Sequence, residues 1–141
     1  MKTLVHYEIA KNEIGVKEIV GAKHNKRILE YHKATTLKAT DDETPWCAAF
    51  VCWCLELAGI KSTRSAAARS YLSFGKKVLL KDAKEGDIVV FTRGNSSWQG
   101  HVAFYVKQKG AYVSVLGGNQ SNAVNISNYP VAKIIGIRRA V

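Results

Sequence analysis

The sequence predicts an α+β protein in which N-terminal helices pack on a C-terminal antiparallel β-sheet. Up to residue 74, apolar residues recur at the three- and four-residue spacing of helices. After Gly75, short runs rich in β-branched residues alternate with turn residues. Helices first and strands second is the order typical of α+β domains. At 141 residues and 47% hydrophobic content, the chain suits a single domain spanning residues 1–141.

Four helices are predicted in the first half of the chain. They cover residues 3–12, 25–31, 46–59 and 65–74, and loops are predicted over 12–23 and 34–43. The third of these helices carries one charge, Glu56, and is apolar on all sides, which is typical of a central, buried helix. Gly59 is its expected C-terminal stop.

Six short strands are predicted after Gly75. They cover residues 78–80, 87–91, 101–106, 111–116, 124–126 and 134–138. Glycines or other turn residues lie at 85–86, 94–95, 109–110 and 117–118, between successive runs. The third helix and two of these strands carry the residues on which the functional prediction depends.

Cys47 is the candidate nucleophile, because it stands where a loop ends and the apolar helix begins. Thr44 suits the N-cap position and Pro45 the first helical position, where a missing N–H is not needed. The thiol then lies in the first turn, where unpaired N–H groups and the helix dipole favour the nucleophilic thiolate. Cys52 and Cys54 are predicted to be small buried residues, since the three cysteines fit neither a disulfide framework nor a common zinc pattern.

Two later segments supply partners for this thiol. Residues 100–102, Gly-His-Val, place His101 at the head of a strand, and residues 118–120, Gly-Asn-Gln, place Asn119 at the end of the next. Cys, His and Asn in this order are typical of a papain-like site, with His101 as general base and acid. Asn119 would accept the ring N–H and fix the tautomer. Alternatively, Asn119 is a turn residue, and Gln120 takes this role or contacts substrate.

Two tryptophans flank the candidate catalytic residues along the chain. Trp46 and Trp98 would line a groove for a peptide or glycan, although burial is the stronger alternative for Trp46 and an equal one for Trp98. The backbone N–H of Cys47, directed by the helix start, is the expected oxyanion-hole donor.

The net charge of +10, from 21 basic and 11 acidic residues, predicts attraction to a polyanion. This charge would attract the protein to nucleic acid, to an anionic membrane surface or to a bacterial cell-wall polymer. No nucleic-acid-binding signature accompanies the scattered basic residues, so we expect no specific nucleic-acid partner.

No apolar run reaches the roughly 18 residues of a membrane span. Residues 1–8 are too polar for a secretory signal.

These motifs together resemble the CHAP family of cell-wall amidases and peptidases, particularly its phage-type, single-domain endolysins. The resemblance is carried, in order, by Gly-Val-Lys-Glu at 15–18, Asn25 with Arg-Ile-Leu-Glu at 27–30, Asp-Glu-Thr-Pro-Trp-Cys at 42–47, Gly-Asp-Ile-Val-Val-Phe at 86–91, Gly-His-Val at 100–102 and Leu-Gly-Gly-Asn-Gln at 116–120. It implies a papain-like, CHAP-type fold. It also implies hydrolysis of a peptidoglycan amide bond through a thioester acyl-enzyme, by either an endopeptidase or an N-acetylmuramoyl-L-alanine amidase.

The resemblance also implies a place of action and a set of partners. Endolysins are made in the host cytoplasm without a signal peptide and reach the cell wall through a holin, so we expect the same here. Peptidoglycan and the anionic cell envelope are the expected partners, and we expect a monomer. Two alternatives stay open: a toxin used between bacteria with the same chemistry, and a non-catalytic basic module that binds cell wall or nucleic acid.

Two features depart from the family pattern. Many members have a glutamate near the third catalytic position, whereas this chain has Leu116, Gly117 and Gly118 there, so the role is assigned to Asn119. Some members bind calcium through alternating aspartates ahead of the cysteine. The acidic run over 41–43 is too compact for that arrangement and would instead cap the helix or be solvated. We therefore expect no metal and no other cofactor.

Overall fold

A computed structural model describes residues 5–18, 25–35, 46–94 and 99–140, and it confirms the α+β class. The α-helices are α1 (Val5–Lys11), α2 (Lys26–His32) and α3 (Cys47–Leu57), and 3₁₀ turns cover Ala68–Ser73, Leu80–Asp82 and Val131–Lys133. The strands are β1 (Lys76–Lys77), β2 (Ile88–Thr92), β3 (Gly100–Lys109), β4 (Tyr112–Gln120), β5 (Ala123–Pro130) and β6 (Ile134–Arg139). No helix of the described ranges is long and apolar enough to cross a membrane.

The strands form one antiparallel sheet in the order β1-β6-β2-β3-β4-β5. Its central strands are buried on both faces, which explains why their sequences are apolar almost throughout. Along β3, Val102 and Phe104 join the core beneath the helices, whereas Ala103 and Tyr105 join a second apolar cluster on the opposite face. This alternation is the period of two that a strand imposes on its side chains.

Helix α3 is the central helix that the sequence predicts. Eight of its residues are buried, among them Phe50, Val51 and Leu55. The helix ends as predicted at Gly59, which adopts a left-handed φ of 78°. The N–H of Gly59 bonds the carbonyl of Glu56, and that of Ile60 bonds the carbonyl of Leu55. These two bonds form a Schellman motif, which satisfies carbonyls at the helix end.

Three details of the predicted secondary structure are wrong: the start of one helix, one strand and the type of another helix. Helix α3 begins at Cys47 with Trp46 as its N-cap, two residues later than the predicted N-cap Thr44. Thr44 and Pro45 themselves lie outside the described residues. The run 78–80 is not a strand, because the pairing with β6 involves Lys76 and Lys77 and the chain turns into the 3₁₀ turn that begins at Leu80. The helix predicted over 65–74 is a 3₁₀ turn over Ala68–Ser73.

Candidate active site

Cys47 is the first residue of α3, at the point where this helix meets β3 and β4. The residue is 5% exposed, so its sulfur is nearly enclosed by protein. Gly118 on β4 allows the close approach of helix and sheet, since a β-carbon there would lie 2.6 Å from the Trp46 ring and 2.8 Å from Cβ of Phe50. The glycine therefore fixes how near the thiol comes to the catalytic strands.

His101, the second residue of β3, is close enough to the Cys47 thiol for each side chain to shift the pKa of the other. Burial opposes ionisation of the thiol, but the hydrogen bond and charge of His101, aided by N–H groups of Val102 and Ala48, hold the pKa of Cys47 below its ordinary value. Burial also opposes the charge on His101, yet its hydrogen bonds with Cys47 and Gln120 raise its pKa above the ordinary value. Both shifts favour a thiolate–imidazolium pair, the reactive state of a catalytic cysteine.

Gln120 is the hydrogen-bond partner on the other nitrogen of the ring. Its Oε1 lies 2.9 Å from Nε2 of His101. This leaves Nδ1 as the ring nitrogen available to Cys47. Because an amide oxygen only accepts, the contact requires a proton on Nε2 and leaves Nδ1 of a neutral ring free to take the thiol proton.

The amide of Gln120 is itself held from the other side. Its Nε2 donates to the backbone oxygen of Asn125 at 2.8 Å and to the side-chain oxygen of Asn125 at 3.0 Å. Ser127 then donates to the same Asn125 side-chain oxygen at 2.7 Å. With its NH₂ group engaged on β5, Gln120 can present only its oxygen to His101. The hydrogen bonds therefore orient the amide, and the amide orients the ring.

This arrangement corrects the role that the sequence assigns to Asn119. A register shift between Gly117 and Gln120 interrupts the β4–β5 pairing, and Asn119 occupies it with a left-handed φ of 57°. Its side chain lines a cleft beside His101, while the hydrogen bond to the ring comes from Gln120. Gly117 leaves room for that bond, since a β-carbon there would lie 3.0 Å from the Gln120 oxygen. The alternative that named Gln120 as the orienting residue thus agrees with the geometry.

The structure also corrects the prediction that Trp46 contacts substrate. Trp46 is fully buried, and its indole N–H donates to a Glu18 carboxylate oxygen at 2.8 Å. Its neighbour in the core is Tyr31, with ring centroids 5.7 Å apart. Trp46 therefore anchors the start of α3. Trp98 and the acidic run 41–43 lie outside the described residues.

Two aromatic rings that the sequence analysis did not single out lie against His101. The ring of Tyr129 is centred 5.2 Å from the imidazole and that of Phe91 6.2 Å, and the two aromatic rings lie 4.9 Å apart in a tilted arrangement. Burial and the nearby Cys47 charge raise the pKa of Tyr129, so its hydroxyl stays protonated. The pairing of Phe91 with His101 across β2 and β3 could have been found from the two strand registers, but the position of Tyr129 depends on the tertiary fold.

Cys52 and Cys54 are free, fully buried thiols, in agreement with the sequence prediction. The Cys52 sulfur lies 3.0 Å from the Tyr71 hydroxyl, and burial raises the pKa of Cys54 well above its ordinary value. Cys47 is the cysteine that interacts with His101, so the candidate site uses one cysteine of three. Within the described ranges, no group of three or more His, Cys, Asp or Glu side chains is placed to hold a metal ion.

Comparison with known proteins identifies the family to which these features belong. The model of the CHAP domain matches residues 39–119, more than half of the chain and the region from the predicted loop to Asn119. Comparison with curated protein sequences found no match.

Solved structures of NlpC/P60 proteins share the fold. An NLP/P60-family protein similar to a lipoprotein, from Staphylococcus aureus, superposes with a TM-score of 0.59 at 19% identity, covering 97% of this chain and 40% of that chain. The P60 domain of an antigen from M. avium paratuberculosis gives 0.58 at 17% identity and covers 97% and 91%. RipD from Mycobacterium tuberculosis, described as a non-catalytic NlpC/p60 protein adapted to peptidoglycan binding, gives 0.60 at 17% identity and covers both chains in full. At these identities the likeness establishes the fold, which is papain-like as predicted.

Proposed function

Because this chain belongs to the CHAP domain family, we propose that it is a cysteine hydrolase that cleaves an amide bond in bacterial peptidoglycan. The observation that carries the proposal is the placement of His101 between the Cys47 thiol, with which it interacts, and the Gln120 oxygen, which lies 2.9 Å from Nε2 of the ring. A buried cysteine of purely structural function needs neither an imidazole partner nor a fixed tautomer. Cys47, at the start of the central helix, has both: His101 on β3 is its imidazole partner, and Gln120 on β4 fixes the tautomer of that imidazole.

In the proposed mechanism, Cys47 and His101 perform acyl transfer. The thiolate sulfur attacks the carbonyl carbon of the amide, and the electron pair of the C=O bond moves to the oxygen. The N–H of Cys47, which begins α3, is the donor we assign to that oxyanion. The imidazolium of His101 then protonates the amide nitrogen, the C–N bond breaks, and the amine leaves a thioester on Cys47.

The second half of the reaction restores the enzyme. His101, now neutral, takes a proton from water through Nδ1 while the water oxygen attacks the thioester carbon. The C–S bond breaks, the acid product leaves, and the site returns to thiolate and imidazolium. Gln120 keeps the ring in one tautomer throughout, because its oxygen requires the proton on Nε2 in both steps. Gln120 acts as a positioning residue in this scheme.

The proposal extends to the biological role. We assign the activity to a single catalytic domain that acts on the cell wall as a phage endolysin after release from the host cytoplasm, and that functions as a monomer. The net charge of +10 supports attraction to the anionic envelope. The protein is an endopeptidase if it cleaves a bond between two amino acids of the peptide. It is an N-acetylmuramoyl-L-alanine amidase if it cleaves the amide that joins the sugar to the first amino acid of the stem.

One specific observation favours a second candidate function. RipD, which shares this fold over its whole length, is described as non-catalytic and adapted to peptidoglycan binding. A binding module would retain sacculi affinity without releasing fragments. The intact Cys47–His101 pair of this chain favours hydrolysis over that alternative.

Digestion of purified sacculi separates these functions. We expect the wild-type protein to release soluble fragments whose new amine and carboxyl ends, read by mass spectrometry, identify the bond. Cys47→Ala should bind sacculi and release nothing. Equal binding by both proteins with no release by either would favour the binding module. Release by Cys47→Ala at the wild-type rate would overturn the thiol mechanism.

A further inference from the structure

A small cleft opens beside the imidazole of the candidate site. It has a volume of about 230 Å³. Its walls include two aromatic rings, an amide and two cationic side chains, namely Phe91, Tyr129, Asn119, Arg93 and Lys133. We call it the cationic cleft. Of the two proposed reacting residues, His101 lines this cleft and Cys47 does not, so the cleft lies on the histidine side of the pair.

The charge of the cationic cleft is not balanced by the protein around it. Neither Arg93 nor Lys133 has an ion-pair partner within the part of the chain that the structure describes, and no acidic residue is among those lining the cleft. Arg139 provides a contrast, since it is held by both oxygens of Asp87 at 2.8 Å. Arg139 is thus a structural cation, whereas Arg93 and Lys133 are exposed at the cleft and form no ion pair with the described residues.

We propose that the cationic cleft binds a carboxylate on the leaving-amine side of the scissile amide, through Arg93 and Lys133. The inference rests on the proposed hydrolase function and adds a substrate preference to it. Because His101 protonates the leaving nitrogen, the part of the substrate that continues from this nitrogen passes the imidazole and enters the cleft. Stem peptides of peptidoglycan carry free carboxylates, which a guanidinium and an ammonium group recognise directly.

The other walls of the cationic cleft fit the same ligand. Tyr129 and Phe91 present adjacent rings beside His101, which suit the methylene groups of an amino acid. The Arg93 charge acts against the positive charge on His101, and a bound carboxylate would offset that effect. Binding of the correct substrate would therefore also stabilise the imidazolium that the first step needs.

The test uses a synthetic stem peptide in its free-acid and carboxamide forms, with the whole protein. We expect wild type to prefer the free acid by about tenfold or more in kcat/KM, mainly through KM. Arg93→Gln and Lys133→Gln should each narrow the preference, and the double variant should reduce it below about twofold. Lys109→Gln is the matched control. It also removes one positive charge, but at the far end of β3, about 26 Å along the strand from His101. It should keep the wild-type preference.

Two outcomes overturn the inference while the hydrolase function stands. One is equal hydrolysis of both peptides by wild type. The other is a preference that falls as much in Lys109→Gln as in Arg93→Gln, which would mean attraction by net charge alone. If no peptide is hydrolysed, calorimetry of both peptides with the Cys47→Ala protein tests the cleft separately. Preferential binding of the free acid that Arg93→Gln abolishes would support the cleft without hydrolysis, and equal binding would overturn it.

Discussion

The side-chain oxygen of Gln120 lies 2.9 Å from Nε2 of His101, while the amide nitrogen of the same residue is fixed on β5. The ring that would activate Cys47 is therefore positioned by an amide whose own orientation is determined by its neighbours. Asn125 and Ser127 complete this arrangement from the edge strand of the sheet. The candidate site consequently extends over three consecutive strands, although only α3 and β3 carry the proposed reacting residues.

Replacement of Gln120 by alanine should lower kcat by a factor on the order of 10 to 1,000, because a misoriented imidazole transfers protons poorly. The hydrogen bond to Gln120 raises the pKa of His101, so its loss lowers that pKa. Activity requires the imidazolium and declines as pH rises through this pKa. The alkaline limb of the pH–rate profile should therefore move to lower pH, which steady-state kinetics across pH will measure.

Asn119→Gly is the matched control for this prediction. Glycine accepts the left-handed φ of 57° at residue 119 without strain, so the substitution removes the side chain and little else. We expect an unshifted alkaline limb, since Asn119 makes no hydrogen bond to the ring. A shift in Asn119→Gly together with a normal profile in Gln120→Ala would return the orienting role to Asn119.

The sequence predicted the fold class and, in the part of the chain that the structure describes, the three α-helices and five of the six strands at nearly their observed positions, because apolar spacing directly reports which faces are buried. It also singled out Cys47 and His101 as candidates, since a helix start and a strand start are visible in the residue order, and their catalytic roles stay predictions. The distinction between Asn119 and Gln120 was not accessible in this way. It depends on a local break in strand register, which rotates consecutive side chains away from the alternation of a regular strand.

The position of Trp46 illustrates the same limit. An aromatic residue beside a nucleophile is compatible with substrate contact or with burial, and sequence position does not separate the two. The decision depends on Glu18, which lies 28 residues earlier and accepts the indole hydrogen bond. Long-range polar partners of this kind have no local signal. The proximity of Tyr129 and Arg93 to His101 likewise arises from the tertiary fold and has no local signal in the sequence.

Alkylation by iodoacetamide should identify Cys47 as the reactive thiol of the three. The pKa of Cys47 is held below its ordinary value by His101, so its thiolate persists at lower pH than that of a free cysteine. Mass spectrometry of the alkylated peptides should therefore show labelling of Cys47 at a lower pH than labelling of Cys54, whose pKa is raised. In His101→Ala the hydrogen bond and charge are lost while burial remains, so the pKa should rise and labelling should require higher pH. An unchanged pH dependence in His101→Ala would contradict the ion pair.

Cys54, which lies away from His101, should behave in the opposite way to Cys47. Cys54→Ala removes a fully buried sulfur from α3 and should lower the free energy of unfolding by about 1–3 kcal/mol. Its kcat should remain near that of wild type at matched folded fraction. Cys47→Ala should eliminate turnover even in the folded protein, because it removes the proposed nucleophile. Urea unfolding and sacculi digestion of both variants provide the comparison, and loss of turnover in both folded proteins would refute the assignment of a single catalytic thiol.

Gly118→Ala tests whether the contact between α3 and β4 positions the site. A β-carbon at residue 118 would lie 2.6 Å from the Trp46 ring and 2.8 Å from Cβ of Phe50, both rigid parts of the core. We expect a loss of about 1–3 kcal/mol in the free energy of unfolding, because neither neighbour can move without displacing the start of α3. The same displacement separates Cys47 from His101, so kcat should fall in the fraction that remains folded.

Gly136→Ala serves as the control for overpacking, because its β-carbon would meet Cδ2 of Leu72, the flexible end of a side chain, at 2.6 Å. This variant should lose less stability than Gly118→Ala and keep its turnover. Urea unfolding gives the stability of both variants, and kinetics at a temperature where both are folded gives kcat. If Gly118→Ala loses stability but retains the wild-type kcat, the helix contact supports the fold without setting the geometry of the Cys47–His101 pair.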